Sequence, residues 1–293
     1  MAVLEEHNEL APRESRVELF YKYLRRHPSV LIGGILLLAI ILLSFIGPIF
    51  TVDPLRMNPI SRLKAPSGDL LFGTDMFGRD IFARVVAGGQ ISLVVGVSVA
   101  VISTFLGLVI GIIAGFSKKV DAVIMRFMDG LMAIPGLLLA IALISLNGAS
   151  ILTVIIAITV PELPRVVRLV RSVVLSLREQ IFVQAAISVG MPTARILIVH
   201  IVPNALPPLI VQASYICASA MILEAILSFL GAGTPPEIPS WGNIVAEGRT
   251  YFQISPWIVL FPGLFLAITV LAVNILGDGL RDSLDPRMRR AMR

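Results

Sequence analysis

Three carboxylates stand within or at the ends of long apolar runs: Glu162, Glu224 and Asp278. A carboxylate at membrane depth is costly, so each is either part of a transport pathway or held in a local pair, for instance Asp278 with Arg281 one helical turn on. Pro262 lies in the same apolar run as Asp278 and bends it, as a gate or as a space-filling kink. The other concentration of polar chemistry is the stretch from Gln184 to Pro203, QAAISVGMPTARILIVHIVP. It offers an amide (Gln184), two small side chains (Ala185, Ala186) and a glycine (Gly190) that permits a turn. Met191-Pro192 restarts the chain, because proline is tolerated in a first helical turn. His200 and Pro203 lead back to the next apolar run. Small side chains let a helix seat deep in a partner's groove, so this set is suited to docking rather than to bond chemistry.

The motifs of catalysis are missing from the sequence. No G-x-x-x-x-G-K-[ST] segment occurs, so no phosphate-cradling loop of that kind is encoded. His7, His27 and His200 are scattered without ligand spacing, and no metal site is expected. Cys217 is the single cysteine and lies in an apolar run, as a buried thiol would. No catalytic residue and no cofactor are assigned to this chain, and enzyme activity in it alone is not expected.

Of 293 residues, 56% are hydrophobic and 15% charged. The apolar residues gather in runs of about twenty, the length that crosses a bilayer. Six spans are predicted, at about 29–50, 91–116, 127–147, 149–164, 205–230 and 256–277. The fold class is therefore an all-α integral membrane protein with six transmembrane helices. The first run lacks a cleavage pattern and reads as a retained anchor. With the N-terminus inside, 18 of the 24 Lys/Arg fall in cytoplasmic segments and six outside. That bias places both termini in the cytoplasm. The net charge of +5 is thus read as topology before nucleic-acid affinity, and no nucleic-acid partner is expected.

The chain divides into a cytoplasmic tail (1–28), a first span with an external loop and interfacial helix (29–90), a five-helix core (91–280) and a basic tail (281–293). In the first tail, Val17, Phe20, Tyr21 and Leu24 recur at helical spacing, which suits an amphipathic helix on membrane lipids. Ser103, Gly107, Gly111 and Gly115, four residues apart, make a packing groove for another span or for a second subunit. Pro135, like Pro262, should bend its span. Pro164 signals a helix start, opening a loop over 165–204. Arg165, Arg168, Arg171 and Arg178 share one helix face there and suit anionic head groups. Before the second span, Gly73 and Gly78 allow tight turns, and Asp80–Arg84 is an i,i+4 pair on a short interfacial helix.

Four segments carry a family resemblance. The Gln184-Ala185-Ala186, Gly190, His200, Pro203 spacing resembles the "EAA" loop of bacterial ABC importer permeases, with Gln184 where the family usually has Glu. FGTDMFGRD, from Phe72, resembles the GTDxxGRD signature of C-type dipeptide and oligopeptide permeases; Ala83 and Gln90 depart from it. The segments EAILSFLGAGTPPEIPSWGNIVAEGR, from Glu224, and FPGLFLAITVLAVNILGDGLRDSLDPR, from Phe261, are similar to the same family. Residues 1–71 match it only in having one span and an external loop. The resemblance implies a type I ABC importer (MetI-like) permease fold in the bacterial inner membrane. It implies transport of di- or oligopeptides, or of related solutes such as glutathione or nickel chelates. The implied partners are a second homologous permease, two cytoplasmic ATPase subunits that bind ATP and Mg, and an external solute-binding protein. The loop around 184–203 would be the ATPase-coupling element. An ion-gradient-driven secondary transporter or channel is the other class the composition permits; no row of membrane-buried titratable groups and no inverted repeat speaks for it.

Overall fold

The protein is described by a computed structural model covering residues 28–284. The tail helix around Val17 to Leu24, His7, His27 and the basic residues beyond Arg281 lie outside the described residues. Helices α1 (Pro28–Ile46) and α2 (Ile81–Phe116) are followed by α3 (Lys118–Ala133), α4 (Gly136–Asn147) and α5 (Ile151–Arg178). Then come α6 (Ile181–Ser188), α7 (Thr193–Ile196), a π-helical turn (Leu197–Ile201), α8 (Val202–Phe229), α9 (Trp241–Gly248) and α10 (Trp257–Leu284). Four helical stretches are long and apolar enough to cross a membrane: those from Pro28, Ile81, Thr193 and Trp257. The α3–α4 pair makes a fifth if counted as one bent span. With α5, whose second half is too basic to meet the same standard, the number of crossings is compatible with the six predicted.

The element boundaries differ from the sequence reading before α2 and along α5, each for a physical reason. The expected interfacial helix before span two does not exist separately. α2 runs unbroken for 36 residues from Ile81, started by the Asp80 side chain accepting from the Phe82 backbone N–H at 2.8 Å. The bend expected of the third span at Pro135 is present as a full break: α3 and α4 meet at 90° across Ile134-Pro135. Pro262, by contrast, sits inside a continuous α10. Finally, Pro161 and Pro164 neither end a span nor start a loop helix, because α5 continues through both to Arg178. Each proline removes one backbone donor, but packing holds the helix together. Pro164 is buried, and a Cβ on Gly136 would stand 3.2 Å from the Pro161 ring. Since α7 and the π turn run directly into α8, the expected 165–204 loop shrinks to 179–192 with α6 inside it.

α2 is the central post, packed against α1, α5, α8 and α9. The small-residue groove of the sequence is filled by α5 of the same chain. A Cβ on Gly111 would lie 2.6 Å from Val170 Cβ and 3.0 Å from the Val167 carbonyl; one on Gly115 would lie 2.7 Å from Val174 Cβ. Gly107 meets Val166 in the same way, and Ser103 is buried one turn earlier with its hydroxyl turned back to the Val99 carbonyl. Lipid supplies no hydrophobic drive for such a contact, so the two backbones approach for dispersion alone. α1 lies against α10 by the same device, with Gly33 facing Leu276 and Ala272. Ile32, Ile35, Leu38 and Leu42 of α1 are left exposed, as lipid contact requires.

Gly111→Val is expected to destabilise the detergent-solubilised protein by about 1–3 kcal/mol, the usual cost of overpacking. Gly34→Ala, where an added Cβ meets nothing within 4 Å, should leave the melting temperature unchanged or slightly higher. Equal melting of the two variants would contradict the seam as a source of stability.

Candidate functional site

The loop residues singled out by the sequence gather around α6. Residues before it belong to the end of α5, which places α6 at the tip of a long, stiff helix. Val183 and Ala186 face inward and are buried, whereas Ile181, Phe182, Gln184, Ala185, Ile187 and Val189 are exposed. Of the two alanines expected to seat in a partner's groove, therefore, only Ala185 is free to do so. α6 ends in a Schellman arrangement: Gly190 adopts φ +80°, its N–H donates to the Ile187 carbonyl at 2.9 Å, and the Met191 N–H donates to the Ala186 carbonyl at 3.0 Å. This gives Gly190 a definite backbone task, and a Cβ there would meet nothing within 4 Å.

His200 lies in the π turn, half-buried, its ring centroid 5.9 Å from that of Phe182. It packs α6 against the start of α8 rather than reaching any ligand-like neighbour. Pro203 occupies the first turn of α8. The π turn just before it lets the Val202 N–H reach the Leu197 carbonyl, five residues back. Such widening relieves the clash of a proline ring with the preceding turn. The side chain of Gln184 turns back on its own chain: its amide nitrogen donates to the Arg178 carbonyl at 2.7 Å.

The arginine strip of α5 is not a free lipid-facing surface. Arg165 pairs with Glu162 at 3.0 Å, Arg168 with Asp129 at 2.6 Å, and Arg171 clasps Asp121 with both guanidinium edges. Arg178 donates to the Gly115 and Phe116 carbonyls at 3.0 and 3.2 Å, satisfying the end of α2. Asp121 and Asp129 come from α3, so the strip ties α3 to α5. The candidate pathway carboxylates are likewise held locally and share no partner. Glu162 has Arg165. Asp278 accepts from the Tyr215 hydroxyl at 2.6 Å instead of pairing with Arg281. Glu224 is fully buried among the hydroxyls of Ser228 (2.9 Å), Ser240 (2.8 Å), Thr234 (3.4 Å) and Ser92 (3.5 Å).

At the opposite end of α2, the segments beginning at Phe72 and Glu224 meet. Gly73 and Gly78 have φ +74° and +71°, the tight turns expected of them. They fold the Asp75 carboxylate onto the Phe77 and Arg79 backbone N–H groups (2.8 and 2.9 Å) and onto the Arg84 guanidinium (2.9 Å). Glu247 of α9 completes the set, binding Arg84 at 2.7 Å and pairing with Arg79. Two cations and two anions thus neutralise one another out of water, with Arg84 wholly inaccessible. The expected Asp80–Arg84 pair is overturned: Asp80 is occupied as the α2 cap, and Arg84 is taken by Asp75 and Glu247. Trp241, buried beside them, donates its indole N–H to the Val85 carbonyl at 2.9 Å. Sequence reasoning missed Glu247, Arg79 and Trp241. Their only signal was membership in those two segments, since nothing local links residues more than 150 positions apart.

Membrane-length apolar helices around a close-packed seam define a multi-pass membrane architecture. The chain belongs to the family of binding-protein-dependent transport system inner membrane components, whose family model matches residues 107–290. Residues 15–66, which precede all of the segments that carry the resemblance, match the N-terminal TM domain of oligopeptide transport permease C. The chain is 54% identical over 266 residues to a probable peptide ABC transporter permease of Sinorhizobium fredii, covering 91% of each chain. It is 41% identical to a dipeptide transport system permease of Alkalihalophilus pseudofirmus (92% of this chain, 89% of that one). To an oligopeptide transport system permease of Bacillus subtilis it is 38% identical (91% and 88%). An inward-facing structure of a methionine ABC transporter shares the fold, with a TM-score of 0.53 at 19% identity, over 69% of this chain and 96% of that one.

Glu247→Ala leaves Asp75 alone against two buried guanidinium groups and should destabilise by roughly 3–5 kcal/mol, as breaking a buried pair does; a thermal melt in detergent measures it. Burial pushes the Asp80 carboxyl above its ordinary range, against the lowering effect of the Phe82 and Ala83 backbone N–H groups. An asparagine amide oxygen can accept the same backbone hydrogen bond at a helix start. Asp80→Asn should melt within about 0.5 kcal/mol of the parent while Asp80→Ala loses about 1 kcal/mol, the worth of an N-cap.

Proposed function

We propose that this chain is a permease subunit of an ATP-driven importer for di- and oligopeptides, coupled to separate ATPase subunits through α6. The observation that carries the reading is the near full-length similarity to permeases named for peptide transport, at up to 54% identity in the relatives cited. A second, homologous permease would cover the outward face of α3. Val123 and Phe127 are exposed there on a helix whose opposite face is tied to α5, and Ile134 is exposed just past its end. ATP and Mg would bind the ATPase partners, and a solute-binding protein would deliver peptide at the end held by the Asp75–Arg79–Arg84–Glu247 network. The loop end, with both termini, would face the cytoplasm of a bacterial inner membrane, in keeping with the positive charge of its segments.

The residues of the loop suit the transmission of force. α5 continues as one helix from the membrane into α6's support, so a push on α6 reaches α2 through the Gly107–Val166, Gly111–Val170 and Gly115–Val174 contacts. Gly190 sets the angle at which α6 ends and α7 begins. An L-residue in that left-handed conformation costs about 1 kcal/mol. An arginine adds a long charged side chain beside an otherwise uncharged docking face.

Proteoliposomes holding the assembled importer, with ion gradients clamped, provide the test: peptide uptake should require ATP and binding protein. Uptake indifferent to ATP would establish a secondary transporter instead, and uptake of glutathione or nickel chelates without peptides would redirect the substrate class. Gly190→Arg should leave the spans inserted yet lower uptake at least tenfold, with ATPase subunits released or uncoupled. Normal uptake with normal ATPase recovery would contradict the role of α6.

A further inference from the structure

Between Glu179 and Arg195 the chain has no charged side chain, although it is flanked by the arginine-rich end of α5. The exposed ridge of α6 within this interval is apolar. Ile181 and Val189, each 87% exposed, mark its ends, and Ala185 lies between them, opposite the buried Val183 and Ala186. Gln184 is the one long polar side chain on that side of α6. Its donor is already committed to the Arg178 carbonyl, one of the carbonyls that a helix C-terminus leaves without an internal partner. Lipid is a poor occupant for the ridge. From Arg165 to Arg178, α5 runs 13 residues further, which carries α6 roughly 20 Å beyond the first basic residue of that helix.

We propose that α6 docks its motor through an uncharged apolar ridge, and that Gln184 acts as a tether holding α6 to the end of α5 rather than as a contact to the motor. This rests on the reading above that an ATPase subunit docks at α6. The partner must then present an apolar, uncharged cleft. A carboxylate at position 184 would fail on two counts: it cannot donate to the Arg178 carbonyl, and it would face the negative end of the α5 dipole. Methionine fails on the first count only. Gln184 is thus a positioning residue, and its effect falls on the ratio of transport to hydrolysis more than on docking.

The experiment uses the whole importer, purified through a tag on this chain, in parent form and as Gln184→Glu, Gln184→Met and Ile181→Ser/Val189→Ser. ATPase recovery is measured from about 0.05 to 0.5 M NaCl, a range that screens exposed ion pairs, and peptide uptake per ATP hydrolysed is measured in proteoliposomes. Parent recovery should change less than about twofold across that range, since apolar burial is not screened. Both Gln184 variants should keep at least about half of the ATPase while uptake per ATP falls roughly 3- to 10-fold, in line with losing one neutral hydrogen bond. The double serine variant should lose ATPase recovery about tenfold or more at every salt concentration. A steep fall of parent recovery with salt would overturn the uncharged ridge. Full coupling in Gln184→Met would overturn the tether. Undiminished recovery in the double serine variant would overturn docking at α6 itself, and with it the coupling reading.

Discussion

The architecture depends on how closely α2 and α5 approach. Three glycines in register face three valines, and a single added methyl group at Gly111 would intrude on both a side chain and a backbone carbonyl. Within a bilayer no water is released when two helices meet, so only the number and fit of atomic contacts distinguishes this pairing from contact with lipid tails. Valine suits that requirement because its branched side chain is already confined in a helix and loses little freedom when packed. The seam ends where Arg178 donates to the last carbonyls of α2, so packing and backbone satisfaction finish at the same place. α6 therefore hangs from a helix fixed along much of its length.

The groove itself was legible in the sequence, because small residues at four-residue spacing must share a helix face. What fills it was not, since the spacing describes one face and is silent on the opposing one. The arginine strip shows the same asymmetry. Its common face was predicted correctly, but Asp121 and Asp129 lie 50 and 39 residues earlier, and no local rule pairs them with Arg171 and Arg168. The prolines misled for a related reason. A local rule weighs the missing donor at Pro161 and Pro164 and ends the helix; the fold instead buries Pro164 and packs Pro161 against Gly136, and that packing keeps the helix on course.

At the other end, Gly73 and Gly78 announced their turns plainly, because few residues but glycine tolerate positive φ. The purpose of the turns was hidden. They fold one carboxylate back onto a backbone and two guanidinium groups, and electroneutrality is completed by a glutamate 163 residues from Arg84. The misread Asp80–Arg84 pair illustrates competition between two local rules. Helical spacing favours a surface ion pair worth a few tenths of a kcal/mol, whereas capping a 36-residue helix favours Asp80 at its start by about 1 kcal/mol. Capping is the stronger of the two interactions, so Asp80 stays at the helix start and Arg84 is released to the buried network.

The two routes out of the loop differ in stiffness, and that difference bears on how a load would spread. Toward α5 the backbone is helical for 28 residues, unbroken through both prolines, and ion pairs brace it to α3. Toward α8 the hydrogen-bond ladder is weakened where it begins: a π turn precedes Pro203, and Pro207 and Pro208 follow within the next turns. Each proline withholds a donor, and the π turn already accommodates a shifted bond. A displacement of α6 thus meets a stiff arm on one side and a compliant one on the other. Close-packed seams resist gradual deformation and move as units. The Gly–Val seam would then carry α2 with α5 as one body, while the strain of the motion is taken up in the first turns of α8.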